Sequence, residues 1–89
     1  MKGYETAFDI CDKLSTDEII KENNILIYPG GWKADFFNII IKDFEDYDDN
    51  VKYACQKVKK SIEDYEGWTF IKEAYDEKTN QIEIHSKHM

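Results

Sequence analysis

Between residues 47 and 65 an apolar or aromatic side chain recurs every three or four positions: Tyr47, Val51, Ala54, Cys55, Val58, Ile62 and Tyr65. This spacing gathers them on one side of an α-helix and leaves Lys52, Lys57, Lys59 and Lys60 largely off it. A helix with one long apolar stripe must lay that stripe on another element, so the rest of the chain has to supply a surface to receive it. The stretch is also punctuated at both ends. Asp48 or Asp49 suits an N-cap, and Gly67 suits a left-handed C-terminal stop.

The flanking segments read as the receiving surface. Trp68–Tyr75 and Gln81–His85 alternate as strands around DEKTN, a hairpin with a loop of about five residues. Ile25 to Tyr28 reads as a short strand stopped by the turn signal Pro29-Gly30-Gly31. From Trp32 to Lys42 the run FFNIII is too apolar for strict alternation, which suits a strand central in its sheet. A helix there would also place Trp32, Phe36, Ile39 and Ile40 on one stripe; the β-branched isoleucines favour the strand. Near the start, Tyr4, Ala7, Phe8, Cys11 and Leu14 recur at helical spacing. Ser15 with Glu18 is a capping-box pattern opening a second short helix that carries Ile19 and Ile20 and ends at Asn23-Asn24. The expected order is α-α-β-β-α-β-β: an α+β fold with a four-stranded, mainly antiparallel sheet and helices packed on one face.

At 89 residues, 42% of them hydrophobic, the chain is read as one acidic domain, 1–89, with enough apolar content to form a core. No run approaches the roughly 20 apolar residues that a membrane-spanning helix needs. The opening MKGYETAFDICDK places acids where a signal peptide carries its apolar core, so a cytoplasmic location in a host bacterial cell is expected. Cys11 and Cys55 lie on apolar helix faces without a CxxC pairing and read as reduced core thiols.

The net charge is −7, and all 12 basic residues are lysine. Arg is the usual side chain for bidentate contacts to phosphate and guanine. Its absence, with the surplus of acid, argues against direct nucleic-acid binding. Within that surplus the stretch Asp43 to Asp49 holds five carboxylates, Phe44 and Tyr47, and nothing else. A calcium loop starting at Asp46 would find Asp48 and Asn50 in place, but Val51 stands where the loop needs Gly and Lys57 where it needs Glu. His85 and His88 have no third ligand at a zinc-like spacing. No metal or cofactor is therefore expected.

Catalytic patterns are equally absent. Ser15 and Ser61 are explained by a cap and an exposed helical position, and neither cysteine has a basic activator on its face. Pro29-Gly30-Gly31 is not followed by the GK[ST] of a phosphate loop. The chain is read as not an enzyme.

Helix capping accounts for one or two of the five acids, not for all. Residues 43–49 carry −5, residues 50–60 carry +4 and residues 61–77 carry −5. Such blocks steer a basic partner, and carboxylates spaced along an edge can imitate backbone phosphates. The expected partner-binding surface comprises Asp43, Glu45, Asp46, Asp48 and Asp49, with Glu63, Asp64, Glu66, Asp76 and Glu77 as a second patch. Phe44, Tyr47 and Trp68 would be its apolar anchors. In size, acidity and lack of a catalytic motif the chain resembles the small acidic phage-encoded inhibitors of bacterial defence, the anti-CRISPR and anti-restriction proteins. No sequence motif is shared, so no residue role is carried over. The resemblance implies a non-catalytic protein that occupies the nucleic-acid channel of a basic partner, such as a nucleic-acid-binding defence effector. The alternative is a structural or housekeeping interaction module whose acidity only solubilises it.

Overall fold

A computed structural model describes residues 2–89. The elements run α1 (Gly3–Leu14), α2 (Glu18–Glu22), β1 (Leu26–Lys33), β2 (Phe36–Lys42), α3 (Asp49–Glu63), β3 (Trp68–Asp76) and β4 (Gln81–His88). The four strands form one antiparallel sheet in the order β1-β2-β4-β3. The order of elements and the α+β class are as the sequence predicts.

Alternation along the strands separates the two faces. Phe37, Ile39 and Ile41 of β2 and Ile82, Ile84 and Ser86 of β4 are wholly buried on one face. There they meet Ala7, Ile10 and Cys11 of α1 and Val51, Ala54, Cys55, Val58 and Ile62 of α3. The predicted stripe from Val51 to Ile62 is thus the buried face of α3, while Tyr47 and Tyr65 lie outside the helix and are half-buried; Asp48 is the cap, accepting from Asn50 N at 3.0 Å and Val51 N at 3.1 Å. FFNIII is a strand in the middle of the sheet, which explains its near-continuous apolarity.

Several local expectations are corrected. Helix α1 is rotated from the predicted face: Gly3, Thr6, Ala7, Ile10, Cys11 and Leu14 are buried, while Tyr4 and Phe8 are exposed. The small Gly3 lets the helix start against the β1–β2 turn, with Gly3 N donating to Ala34 O, and that approach sets the rotation. The cap of α2 is Asp17, not Ser15. Asp17 Oδ1 accepts from Ile19 N and Ile20 N, whereas Ser15 Oγ donates back to Asp12 O and helps close α1.

Pro29-Gly30-Gly31 does not end the first strand. It is absorbed as a bulge within β1, Trp32 belongs to β1 as well, and the reversal comes at Ala34-Asp35. A β-carbon on Gly30 would overlap Asn38 Oδ1 and come within 2.8 Å of Ile40, so glycine lets β1 lie close over its neighbour. Gly67 has the expected left-handed backbone, φ 84°, but three residues beyond the C-cap Asp64. The helix itself closes with Asp64 N to Ser61 O and Tyr65 N to Ile62 O, both 3.2 Å, and Gly67 then turns the chain into β3.

Candidate functional site

The acidic stretch begins where β2 leaves the sheet. Asp43 adopts a left-handed backbone, φ 62°, a conformation that Asp and Asn tolerate better than most residues. This turn sends Phe44 inward, where it is 7% exposed. Its ring meets Tyr47 edge-on at 6.3 Å and Tyr75 at 6.5 Å, and Tyr47 meets Tyr75 at 5.1 Å. The Tyr47 hydroxyl donates to Glu73 Oε2 at 3.3 Å, and burial pushes its pKa up to about 12. Glu73 also pairs with Lys59 at 2.8 Å, which ties α3 to β3 beneath the loop. With its rings turned in, the loop carries Asp43, Glu45, Asp46, Asp48 and Asp49 exposed.

A second segment joins this one. Asn80, at the close of the β3–β4 turn, has φ 53° and accepts the Tyr75 hydroxyl on Oδ1 at 2.7 Å. Its amide nitrogen donates to Phe44 O at 2.7 Å and reaches Glu45 O at 3.4 Å. One side chain therefore fastens the hairpin turn onto the acidic loop and brings Asp76 and Glu77 to the same end of the sheet. Seven exposed carboxylates from segments some thirty positions apart make up this acidic end. Of these seven, only Asp49 has a cation within 4.0 Å among the described residues, Lys52 at 3.9 Å. Asp48 is committed to the α3 cap, and Asp76 accepts from Lys78 N in the turn. A pocket of about 220 Å³ opens between this loop and the end of α2, lined in part by Asn23, Asn24, Asp43, Asp46, Asp48 and Asn50.

The predicted second patch is divided. Asp76 and Glu77 belong to the acidic end, whereas Glu63 closes the other end of α3 and Asp64 and Glu66 follow it. The 15 residues of that helix set them about 21 Å apart, at a rise of about 1.5 Å per residue. The apolar anchors are corrected too. Phe44 and Trp68, 7% and 3% exposed, belong to the core, Trp68 stacking at 4.8 Å from Phe37, and Tyr47 is half-buried against it. The aromatic ring at the surface of the acidic end is Tyr75, 41% exposed. Sequence reading singled out neither Tyr75 nor Asn80. Asn80 had one signal, its place in a predicted turn where Asn readily takes a left-handed backbone.

Two further acids are held by tyrosines of the α3 segment. Tyr65 OH donates to Asp9, and hydrogen bonds from Tyr65 and then Lys13 hold the Asp9 carboxyl below its usual range. Tyr53 OH donates to Asp17 Oδ2 at 2.8 Å and lowers that carboxyl likewise. Both thiols are buried and free, and burial pushes Cys11 up to about 12 and Cys55 up to about 11, so each stays protonated at neutral pH. Among the described residues no three His, Cys, Asp or Glu side chains converge as a metal site, and no helix is long and apolar enough to cross a membrane. Compared with family models, curated proteins and solved structures, the chain matches none.

Proposed function

We propose that the chain is a non-catalytic binding protein whose acidic end docks on the cationic, nucleic-acid-binding surface of a partner protein. The specific role is that of a phage or mobile-element inhibitor of a bacterial defence complex. The observation that carries this reading is the Asn80 clasp, which unites Asp43, Glu45, Asp46, Asp48 and Asp49 with Asp76 and Glu77. Acidity that served solubility alone would need no such convergence. Capping and turn formation employ Asp48 and Asp76 and leave Asp43, Glu45, Asp46, Asp49 and Glu77 for a partner's lysines and arginines.

The test neutralises Asp43→Asn, Glu45→Gln and Asp46→Asn together. Asn keeps the left-handed backbone at position 43, and none of the three supplies the α3 cap, so the fold should survive. Immobilised wild-type protein is expected to retain basic proteins from nuclease-treated bacterial lysate at 50 mM salt and to release them to added duplex DNA. The neutralised variant is expected to retain none, since removing one member of a charge pair at a desolvated interface costs about 2–5 kcal/mol. Equal retention by both proteins would refute the reading.

A further inference from the structure

The face of the sheet opposite the helices has a different character. Register partners point to the same side of a sheet, so the pairings Lys33↔Phe36, Phe36↔Lys87, Asn38↔His85 and Lys72↔His85 place these side chains together on the open face. Lys42 and Tyr28 share that face, with the ammonium 5.3 Å from the ring centre. Each strand contributes one lysine to it: Lys33, Lys42, Lys72 and Lys87. The carboxylates there are Glu83 and Asp76, with Asp35 of the β1–β2 turn at the rim beside Phe36. Glu83 accepts from Asn38 Nδ2 at 2.9 Å, and its carboxylate lies 3.6 Å from His85 Nε2. Among the described residues none of the four lysines has a carboxylate within 4.0 Å. In a chain of net charge −7, this face carries a surplus of cations.

Three of the lysines surround a pair of rings. Phe36 and His85 lie 5.8 Å apart between Lys33, Lys87 and Lys72, and a hollow of about 340 Å³ opens over Phe36, lined by Lys33 and Lys87 and by one carboxylate, Asp35. The acidic loop follows Lys42 at the other end of β2 from Phe36, a separation of about 20 Å at about 3.3 Å per residue. The molecule measures 16 Å through its thinnest dimension, against a Debye length of about 8 Å at physiological salt. Local charge therefore governs what the face attracts. Two copies packed open face to open face would oppose like charges, which disfavours a second copy as the occupant.

We propose that the open sheet face around Phe36 and His85 binds single-stranded nucleic acid, the Phe36 ring stacking on unpaired bases and Lys33, Lys72 and Lys87 meeting phosphates. Stacking supplies an interaction that every base can make, and lysines tracking the backbone supply the salt-dependent part. The net-charge argument against nucleic acid averages over the whole surface, whereas lysines outnumber carboxylates on this face. The binding is independent of the acidic end.

The test is fluorescence anisotropy of labelled twelve-nucleotide oligo-U and oligo-dT, titrated with the full chain from 25 to 200 mM salt. Three lysine–phosphate contacts give a slope of log affinity against log salt of about −2, at about 0.7 per contact for single strands. Lys33→Gln, Lys72→Gln and Lys87→Gln together are expected to flatten that slope and weaken binding at least tenfold at 25 mM salt. Phe36→Leu, which keeps bulk but removes the ring, is expected to weaken binding severalfold and leave the slope unchanged. The variant neutralised at Asp43, Glu45 and Asp46 is expected to bind the oligonucleotide no more weakly than wild type, which separates this proposal from the partner reading above. No binding at 25 mM salt overturns the proposal, as does undiminished binding by the triple lysine variant. Competition by oligo-glutamate equal to that by the single strand, or an unaffected Phe36→Leu variant, overturns it by showing a surface that takes any polyanion.

Discussion

At the acidic end, seven carboxylates ride on two loops; on the open sheet face, four lysines ride one to each strand. The loops are positioned by a few side-chain bonds: Asn80 to Phe44 O and Glu45 O, Tyr75 to Asn80, and Tyr47 to Glu73. The lysines are positioned by register, which the buried residues Phe37, Ile39, Ile41, Ile82 and Ile84 fix, because a slip of one residue would turn them all outward. One surface can therefore be dismantled by a single polar substitution, while the other disappears only with the fold.

The largest effect expected removes both surfaces at once. Val58 is fully buried under α3, and Val58→Asp places an unpaired charge there at a cost of several kcal/mol. Circular dichroism should show loss of cooperative unfolding. Lys57→Asp on the same helix should unfold normally, with a small decrease in stability because the ammonium no longer sits over the Tyr53 ring. A folded, cooperative Val58→Asp protein would show that the core face is misassigned.

Asn80→Asp should separate the two surfaces. It sets a carboxylate against the carbonyls of Phe44 and Glu45 and is expected to cost about 1–3 kcal/mol. Amide exchange should accelerate through residues 43–48 and the β3–β4 turn, while the β2 and β4 amides keep their protection. Uniform acceleration across the sheet would mean that the clasp supports the whole fold rather than the acidic end.

A smaller effect distinguishes employed carboxylates from free ones. Asp9 and Asp17 have folded pKa values below the ordinary 3.8, so they contribute stability above that value and lose it as pH falls through the folded pKa. The melting temperature should drop below about pH 4. Tyr53→Phe should blunt the part due to Asp17, whose largest cause is that hydroxyl. Both carboxylates face solvent, so the change is expected to be modest. At the alkaline end Tyr47, raised to about 12, contributes stability below its ordinary value of about 10 and loses it as pH climbs toward 12. The smallest effect should be Lys42→Gln, within about 0.5 kcal/mol by thermal melting.

The architecture was legible in the sequence where one signal dominated. The α3 stripe from Val51 to Ile62 and a cap at Asp48 or Asp49 needed only periodicity and capping chemistry, the final hairpin alternation and a turn signal, and β2 the β-branching of its isoleucines. The errors arose where tertiary approach overrode local preference. Gly30-Gly31 reads as a turn, yet it serves as a bulge because β1 must pass close over Asn38 and Ile40. Tyr4 and Phe8 have the right spacing for a buried face, but the contact of Gly3 with the β1–β2 turn rotates them out. For the candidate site, the sequence shows the acids but not which segments meet. The clasp between Asn80 and Phe44 spans 36 positions, and no local pattern announces it. Aromatic residues beside acids suggested surface anchors, but a chain this small turns large rings inward to build its core.

The strand order β1-β2-β4-β3 has a consequence for how copies of the chain can assemble. It reads the same from either edge: α1 lies on the β1–β2 hairpin and α3 on the β3–β4 hairpin, and the β2–β4 pairing is the seam between these halves. The tether across the seam, from the end of β2 to the start of α3, is the loop carrying the carboxylates. Straightening that loop would let two chains trade halves while keeping every strand pairing, which is the geometry of a domain-swapped dimer. A charged tether repels itself and extends, so the like charges between Asp43 and Asp49 favour the open arm that such an exchange requires. Refolding at high concentration is expected to yield a swapped dimer by gel filtration, and less of it when Asp43, Glu45 and Asp46 are neutralised. Less dimer from the neutralised variant would show that the negative charge of this loop governs the number of chains in the particle.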